Sequence, residues 1–230
     1  MPITKKTDIT MDNSLESLGA LLQRQVALAQ AQRFRISDHP QAEIVKMLGM
    51  CYKAEVESRR SGAFLADKAT EERVEKAAKW LSGNYKPGLM LYGRVGSGKS
   101  TMARAIVRLI GFLYDRYEMG DRRTSVTKCS ALELSRIATD DISRIDQFKR
   151  TKMLFIDDLG VEPPVVKNWG NEFTPVVDLL YSRYDANRFT IITSNLRGEA
   201  FRERYGDRIG DRMLEMFDTI AFEQSLSYRK

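Results

Sequence analysis

The chain has 230 residues, of which 43% are hydrophobic and 30% are charged, and its formal net charge is +6 at pH 7. This length and composition fit one α/β domain with a small appendage and exclude a disordered chain. No apolar run reaches the roughly 18 to 20 residues that cross a bilayer, and the N-terminus has no secretory apolar segment. We therefore expect a cytoplasmic protein without a membrane partner, whose basic charge is compatible with nucleic acid.

Cysteine and histidine are not expected to bind a metal ion. Cys51 and Cys129 lie in separate predicted elements without metal-ligand spacing, so both are predicted to be buried free thiols. Because Cys51 stands alone in its region, a cysteine-ligated zinc module is excluded there. The single histidine, His39, precedes a proline and is assigned no chemistry.

Two helices are predicted in the first 65 residues. One begins near Ser14 and carries leucines at helical spacing, and the other begins near Pro40. Each has an apolar face that could either pack against the rest of the protein or dock a partner, and the pattern alone does not decide. The break at Ser61-Gly62 predicts a boundary between an N-terminal helical region, 1–65, and a second domain, 66–230.

The most informative stretch is a glycine-rich loop. After the apolar run Leu89–Tyr92, the residues Gly93, Gly98, Lys99 and Ser100 complete the pattern G-x-x-x-x-G-K-[ST], and a helix-forming segment follows. Glycines let main-chain N–H groups surround a phosphate, and the N-terminal end of the helix attracts the anion. Lys99 is expected to reach the β- and γ-phosphates of ATP, and Ser100 to hold Mg²⁺. The predicted nucleotide-binding residues of the loop are Gly93, Arg94, Val95, Gly96, Ser97, Gly98, Lys99, Ser100 and Thr101.

Helix and strand patterns alternate on both sides of this loop. Helices are predicted over Thr70–Leu81 and Thr101–Tyr117, from near Ser130, and over Phe173–Tyr184. Short strands are predicted at Ser125–Cys129, Met153–Ile156, Arg188–Ile192 and Thr219–Phe222. The segment Glu162–Trp169 contains two consecutive prolines and is predicted to be a loop. The alternation predicts an α/β fold with a parallel sheet.

Two of the predicted strands end in residues that suit nucleotide hydrolysis. Asp157 and Asp158 follow one buried run, and Asn195 closes a polar triplet after another. Parallel strands bring their carboxyl ends to one crevice, where the phosphate loop also lies. Asp157 is therefore predicted to join Ser100 around Mg²⁺. Asp158 is predicted to orient or deprotonate the attacking water, and Asn195 to hold that water.

A pair of arginines follows on the last predicted helix. Arg208 and Arg212 are four residues apart, so they project from one side of that helix. They could pair with Asp207 and Asp211 on the surface, where ion pairs contribute little. At a subunit boundary, one of them could instead stabilise phosphoryl-transfer charge in a neighbour's site.

From about Pro87 to Arg229 the sequence resembles the DnaC/IstB group of AAA+ ATPases, which are bacterial helicase loaders and their transposon-borne relatives. The resemblance rests on the segments Gly93–Ser100, Leu154–Gly160, Ile192–Leu196, Gly206–Met213 and Ser227–Arg229. Two features differ from the group. The phosphate loop continues Lys-Ser-Thr-Met where loaders usually have Lys-Thr-His-Leu, and residues 1–65 match no known N-terminal module.

The resemblance implies a fold and several roles. It implies a P-loop NTPase with an AAA+ core, a parallel five-stranded sheet of order 5-1-4-3-2, and no C-terminal helical lid. Asn195 would be the sensor 1 residue, and Arg212 or its neighbour Arg208 the arginine finger that acts in trans. Arg229 would be a nucleotide sensor. Many proteins with this chemistry carry glutamate where this chain has Asp158, and aspartate is one methylene shorter, so slow ATP hydrolysis is expected.

The resemblance also implies a function and partners. The protein would be an ATP-dependent loader that delivers a replicative hexameric helicase, recognised through residues 1–65, onto single-stranded DNA. ATP would order a head-to-tail homo-oligomer, with DNA along its basic inner surface. The proposed DNA contacts are Arg144, Lys149 and Arg150, although solvated surface is the usual role of such residues. The alternatives are an IstB-like transposase-helper ATPase and a nucleotide-gated DNA-binding module with negligible turnover.

Overall fold

The computed structural model describes residues 15–26, 34–58, 64, 67–83, 86–114, 125–168 and 170–222. The chain divides into two compact units, Met1–Phe34 and Arg35–Lys230. In the first unit, residues 15–26 form helix α1, in agreement with the helix predicted from near Ser14. The apolar residues of α1 have relative exposures between 50% and 65%, and they are Leu15, Leu18, Leu21, Leu22 and Val26.

The second unit contains the other described helices and strands. Its helices are α2 (Gln41–Glu57), α3 (Lys68–Ser82), α4 (Lys99–Tyr114), α5 (Ala131–Asp140), α6 (Ile145–Arg150), α7 (Pro175–Asp185), α8 (Gly198–Tyr205) and α9 (Asp207–Met216). A short 3₁₀ helix, Ile142–Arg144, leads into α6. The strands are β1 (Gly88–Gly93), β2 (Thr127–Ser130), β3 (Met153–Leu159), β4 (Val166–Asn168), β5 (Asn171–Phe173), β6 (Phe189–Ser194) and β7 (Phe217–Phe222).

Side-chain caps explain where two of these helices begin. The Asp67 carboxylate accepts a hydrogen bond from the Thr70 main-chain N–H at 2.7 Å, so α3 starts two residues before the predicted position. Ser130 and Glu133 form a capping box at the start of α5, where the helix was expected. Such caps satisfy main-chain donors that the first helical turn leaves without partners.

The described core strands form one parallel sheet. Its order is β2-β3-β6-β1-β7, and every neighbouring pair is parallel. If only these five strands are numbered along the chain, the order is 5-1-4-3-2, and the sheet order implied by the resemblance is confirmed. The carboxyl ends of β1, β3 and β6 therefore meet at one edge of the sheet.

The prediction of a loop over Glu162–Trp169 was partly wrong. Val166–Asn168 pairs with Asn171–Phe173 as an antiparallel hairpin outside the main sheet. A two-residue hairpin turn needs a residue with positive φ, and Gly170 supplies it with φ of 79°. The strands are only three residues long, so their periodicity is too short to recognise in the sequence.

Helices cover both faces of the sheet. Apolar residues of α5, α7 and α9 form a buried cluster with one face, which includes Leu154, Ile156 and Ile192. The other face is covered by α3 and α4, and α2 packs on these two helices. Ile44 and Leu48, on the apolar face of α2, are completely buried there. For this helix, the open choice between internal packing and partner docking is decided in favour of packing.

The compact second unit begins about 30 residues before the predicted boundary at 65/66. Ile36 is buried, and its main-chain N–H donates to the Leu81 carbonyl at 2.8 Å. The segment before α2 is therefore hydrogen-bonded to the end of α3. Ser61 and Gly62, where the sequence predicted the boundary, lie outside the described residues. The partner-binding role of residues 1–65 remains a prediction.

A fully buried arginine anchors the end of the sheet where β3 and β6 begin. Arg183 on α7 donates to Thr190 Oγ1 at 2.8 Å and to the carbonyls of Phe148 and Thr151, both at 2.8 Å. Its burial lowers the pKa of the guanidinium to about 9. Because Phe148 lies on α6, this side chain ties α6 to α7 and to the sheet.

Both cysteines are free, as predicted. Cys129 is buried, and burial raises the pKa of its thiol to about 12. Cys51 is only partly buried.

None of the helices in the described part of the chain has the length and hydrophobicity needed to span a bilayer.

Candidate phosphate-binding site

The glycine-rich loop connects β1 to α4 at the carboxyl edge of the sheet. Gly98 has φ of 99°, and a Cβ atom built there would lie 2.7 Å from the Tyr52 hydroxyl of α2. Both observations require glycine at this position. The helix begins immediately afterwards, and the Gly98 carbonyl accepts the N–H of Met102 at 3.0 Å. The loop therefore presents main-chain donors and a helix N-terminus together, as an anion site needs.

Lys99 joins the loop to the end of β6. Its side chain is buried, and Nζ donates to the carbonyls of Gly93 and Arg94 and to Asn195 Oδ1, each at 2.8 Å. A buried ammonium must be surrounded by acceptors, and phosphate oxygens are acceptors of the same kind. The structure thus brings Lys99 and Asn195 together, as the sequence predicted.

Asp157 receives hydrogen bonds from two hydroxyl groups. Ser100 Oγ donates to Oδ1 at 2.7 Å, and Thr193 Oγ1 donates to the same oxygen at 2.6 Å. The other oxygen, Oδ2, forms an ion pair with Arg104 Nη2 at 3.0 Å. The predicted association of Ser100 with Asp157 is present. Thr193 and Arg104 had been given no role in the sequence, although Arg104 lies four residues after Ser100 and so on the same helix face.

Asp158 occupies an unusual place in β3. The pairing of β3 with β6 is irregular between Ile156 and Leu159, and Asp158 has φ of 56°. Its main-chain N–H donates to Thr193 Oγ1 at 2.8 Å, and its side chain is exposed. Aspartate tolerates this left-handed conformation better than most residues do. In a regular strand, consecutive side chains point to opposite faces of the sheet. The irregularity in β3 removes this strict alternation at the two consecutive acids.

A buried carboxylate follows the two acids. The buried Glu162 carboxylate accepts from the Gly160 main-chain N–H at 2.8 Å and from the Tyr205 hydroxyl of α8. Arg204 of α8 donates to the Glu162 main-chain carbonyl. Burial, together with the negative charge of Glu162, raises the pKa of the Tyr205 hydroxyl. This network connects the chain after Asp158 to α8. Glu162 could not be recognised from the sequence, because it lay in a predicted loop.

The two candidate trans arginines differ in their surroundings. Arg212 lies over the rings of Tyr181 and Tyr184, with its guanidinium carbon 4.4 Å and 4.9 Å from their centroids. Arg208 is exposed, and within the described chain it makes neither a hydrogen bond nor an ion pair. Their acidic neighbours are both held by Arg202, Asp207 at 3.6 Å and Asp211 at 2.6 Å. The alternative in which Arg208 and Arg212 pair with these two acids is therefore wrong. Arg229 lies outside the described residues.

The candidate DNA contacts are not part of this site. Arg144 ends the 3₁₀ helix, and Lys149 and Arg150 end α6, immediately before β3. Asp157 and Asp158 lie at the opposite end of that strand. Lys149 forms an ion pair with Asp146 at 3.1 Å, whereas Arg144 and Arg150 are exposed. The DNA role of these residues stays a prediction.

The donor set fits Mg²⁺ bound with a nucleotide. Ser100 Oγ and Asp157 Oδ1 are hard oxygen donors only 2.7 Å apart beside the phosphate loop. Magnesium is usually held by one or two protein oxygens together with phosphate groups and water, and not by an all-protein cage. Among the residues that the structure describes, no cluster of three His, Cys, Asp or Glu side chains could form such a cage. The site therefore matches a metal that arrives with its nucleotide.

Comparisons with known proteins identify the fold. No protein-family model matches the sequence, and no curated protein matches it. The structure is similar to that of the DnaC helicase loader, with 19% identity, a TM-score of 0.52, and coverage of 69% of this chain and 93% of that chain. It is also similar to DnaI, with 19% identity, a TM-score of 0.53, and coverage of 82% of this chain and 97% of that chain. The chain therefore shares the fold of these two proteins.

Proposed function

We propose that this protein is an ATP-dependent helicase loader, which delivers a replicative hexameric helicase onto single-stranded DNA. The observation that carries the proposal is the meeting of four residues at one sheet edge. Lys99 Nζ lies 2.8 Å from Asn195 Oδ1, and Ser100 Oγ lies 2.7 Å from Asp157 Oδ1. These residues come from α4, β3 and the end of β6. Similarity to the DnaC helicase loader supports the loader role through shared fold alone.

In this proposal the phosphate loop binds ATP and the strand ends act on it. Lys99 exchanges acceptors in the loop for β- and γ-phosphate oxygens. Ser100 and Asp157 would hold Mg²⁺, which would supply positive charge to stabilise the transferring phosphate. Asp158 orients or deprotonates the attacking water, and Asn195 holds that water. Hydrolysis is slow and is stimulated by DNA or by the partner.

A neighbouring subunit completes the site. Arg208 is exposed and free of partners within the described chain, whereas Arg212 is stacked on two tyrosines. Arg208 can therefore reach another molecule without breaking a contact. We infer a head-to-tail homo-oligomer in which Arg208 stabilises phosphoryl-transfer charge in trans, and Arg212 is the alternative.

In this proposal the N-terminal region, residues 1–65, binds the protein partner. Four leucines and a valine of α1 are at least half exposed, which suits a helix that docks on another protein. Arg144, Lys149 and Arg150 are the proposed contacts with single-stranded DNA. The protein would act in the cytoplasm, where it meets the helicase.

Nucleotide binding is tested by Lys99→Ala, with Lys76→Ala as a matched control because Lys76 is exposed on α3. The proposal expects ATP affinity to fall by about tenfold or more for Lys99→Ala, since a phosphate contact is lost. The control should bind ATP like the wild-type protein. Equal affinity of both variants would contradict the phosphate-loop assignment.

The loader role is tested with the full chain. Capture of a replicative helicase should depend on α1 and be lost in a Leu18→Glu/Leu22→Glu variant whose ATP binding is intact. Recovery of a transposase in its place would favour the transposase-helper alternative. Steady-state phosphate release, measured with and without single-stranded DNA, tests the second alternative, the nucleotide-gated module. No release under either condition would favour a nucleotide-gated binding module.

A further inference from the structure

Asp157 is held on both sides by one face of α4. Arg104 follows Ser100 by four residues, so their side chains lie one helical turn apart on the same face. Arg104 Nη2 is 3.0 Å from Asp157 Oδ2, and Ser100 Oγ is 2.7 Å from Asp157 Oδ1. A cation and a hydroxyl from the same helix therefore divide the two carboxylate oxygens between them.

The ion pair is partly sheltered from solvent. The side chains of Arg104 and Asp157 are 28% and 16% exposed. Charges in such surroundings are screened less by salt and water than charges on an open surface. Arg104 consequently does more than fix the rotation of the carboxylate, because it also offsets part of the negative charge that a divalent cation would meet.

We propose that Arg104 is a positioning residue that sets the Mg²⁺ concentration required for nucleotide binding. The inference rests on the proposed nucleotide site. Arg104 keeps Asp157 Oδ1 beside the Ser100 hydroxyl, and its charge weakens the attraction of Asp157 for Mg²⁺. Loss of that charge lowers the Mg²⁺ requirement. Binding in the absence of Mg²⁺ is unaffected, because Lys99 and the loop are unchanged.

The test measures equilibrium binding of a fluorescent, non-hydrolysable ATP analogue to the full chain while Mg²⁺ is titrated from a chelated start. For Arg104→Gln, the half-saturating Mg²⁺ concentration should fall by about threefold or more, since a charge a few ångströms from the ion is removed. Arg104→Met, which keeps most of the aliphatic stem, should behave in the same way. Arg104→Lys keeps the charge and should stay within about twofold of the wild-type protein.

Arg108→Gln is the matched control. Arg108 lies one turn further along α4 and pairs with Glu55 Oε1 at 2.7 Å, so its loss removes a similar ion pair without touching Asp157. Its Mg²⁺ requirement should match that of the wild-type protein. An unchanged or higher requirement in Arg104→Gln and Arg104→Met overturns the proposal, and so does an equal shift in the control. If the wild-type protein binds no nucleotide, the proposed function itself has failed.

Discussion

The Lys99 ammonium and the Asn195 amide oxygen are 2.8 Å apart, although 96 positions separate the two residues in the sequence. The contact links the first residue of α4 to the end of β6. Lys99 also keeps two carbonyl acceptors in the phosphate loop. The buried Lys99 ammonium therefore keeps two acceptors when Asn195 is replaced.

Asn195→Ala should impair turnover more than binding. Because Lys99 retains its loop contacts, nucleotide affinity should change by no more than about threefold. Phosphate release should fall by about 10²-fold, the usual effect of losing one group that stabilises the reaction. Gln147→Ala, at an exposed position of α6, is the control. If affinity fell as far as turnover, Asn195 would serve nucleotide binding instead.

Gly98→Ala should disturb the phosphate loop because φ at this position is 99° and the new Cβ would lie 2.7 Å from the Tyr52 hydroxyl. We expect a loss of about 1–3 kcal/mol in the free energy of unfolding, measured in urea. Tyr52→Phe removes the clashing oxygen, so the double variant should recover part of this loss in a double-mutant cycle. Gly49→Ala is the matched control, because a Cβ in that part of α2 meets open space. Purely additive effects of the two substitutions would rule out the steric contact.

Mixing experiments distinguish the two candidate trans arginines. Arg208→Ala and Asp158→Asn proteins should each hydrolyse ATP poorly alone. Mixed in equal amounts, they should regain about a quarter of wild-type phosphate release if arginine and acid come from different subunits and pairing is random. When Arg212→Ala replaces Arg208→Ala in the mixture, the Arg212→Ala protein should also be less stable than the wild-type protein, because Arg212 packs on two tyrosines. No gain on mixing with either variant would place the arginine in its own subunit's site or outside catalysis.

Arg183→Lys should destabilise the fold while the folded protein still binds nucleotide normally. Lysine keeps a charge but cannot reach Thr190 and the carbonyls of Phe148 and Thr151 together. Buried acceptors without donors predict a loss of about 2–4 kcal/mol in the free energy of unfolding. Arg136→Lys, at an exposed position of α5, should change stability by less than about 0.5 kcal/mol. Nucleotide affinity below the transition should be unchanged, because Arg183 lies at the opposite end of the sheet.

The parts of the site that could be predicted are those that depend on residue type and spacing within a short stretch of sequence. Gly93–Ser100 combines residue type, spacing and a following helix in one stretch, so the phosphate loop could be recognised directly. Asp157 and Asn195 could be placed because each follows a buried strand, and parallel strands end at the same edge. The strand order came from the family resemblance and not from periodicity.

The features that the sequence did not predict depend on contacts between distant segments. Arg104 could be assigned to a helix face, but its partner depends on how α4 lies against β3. The apolar stripe of α2 indicated burial without showing which surface covers it. Glu162 acquires its role only when α8 packs over the chain after β3. In each case the missing information was tertiary geometry.

Thr193 has one hydroxyl hydrogen, and it is committed to Asp157, while the oxygen accepts the N–H of Asp158. Asp157 and Asp158 are thus both hydrogen-bonded to one atom, Oγ1 of Thr193, which is buried from solvent. If a ligand displaces the Asp157 carboxylate, the Thr193 hydroxyl loses its acceptor, and the hydrogen bond from the Asp158 N–H to Thr193 Oγ1 weakens because linked hydrogen bonds strengthen one another. Thr193→Val keeps nearly the same shape but removes both hydrogen bonds, so it would uncouple the position of the Asp157 carboxylate from that of the Asp158 main chain.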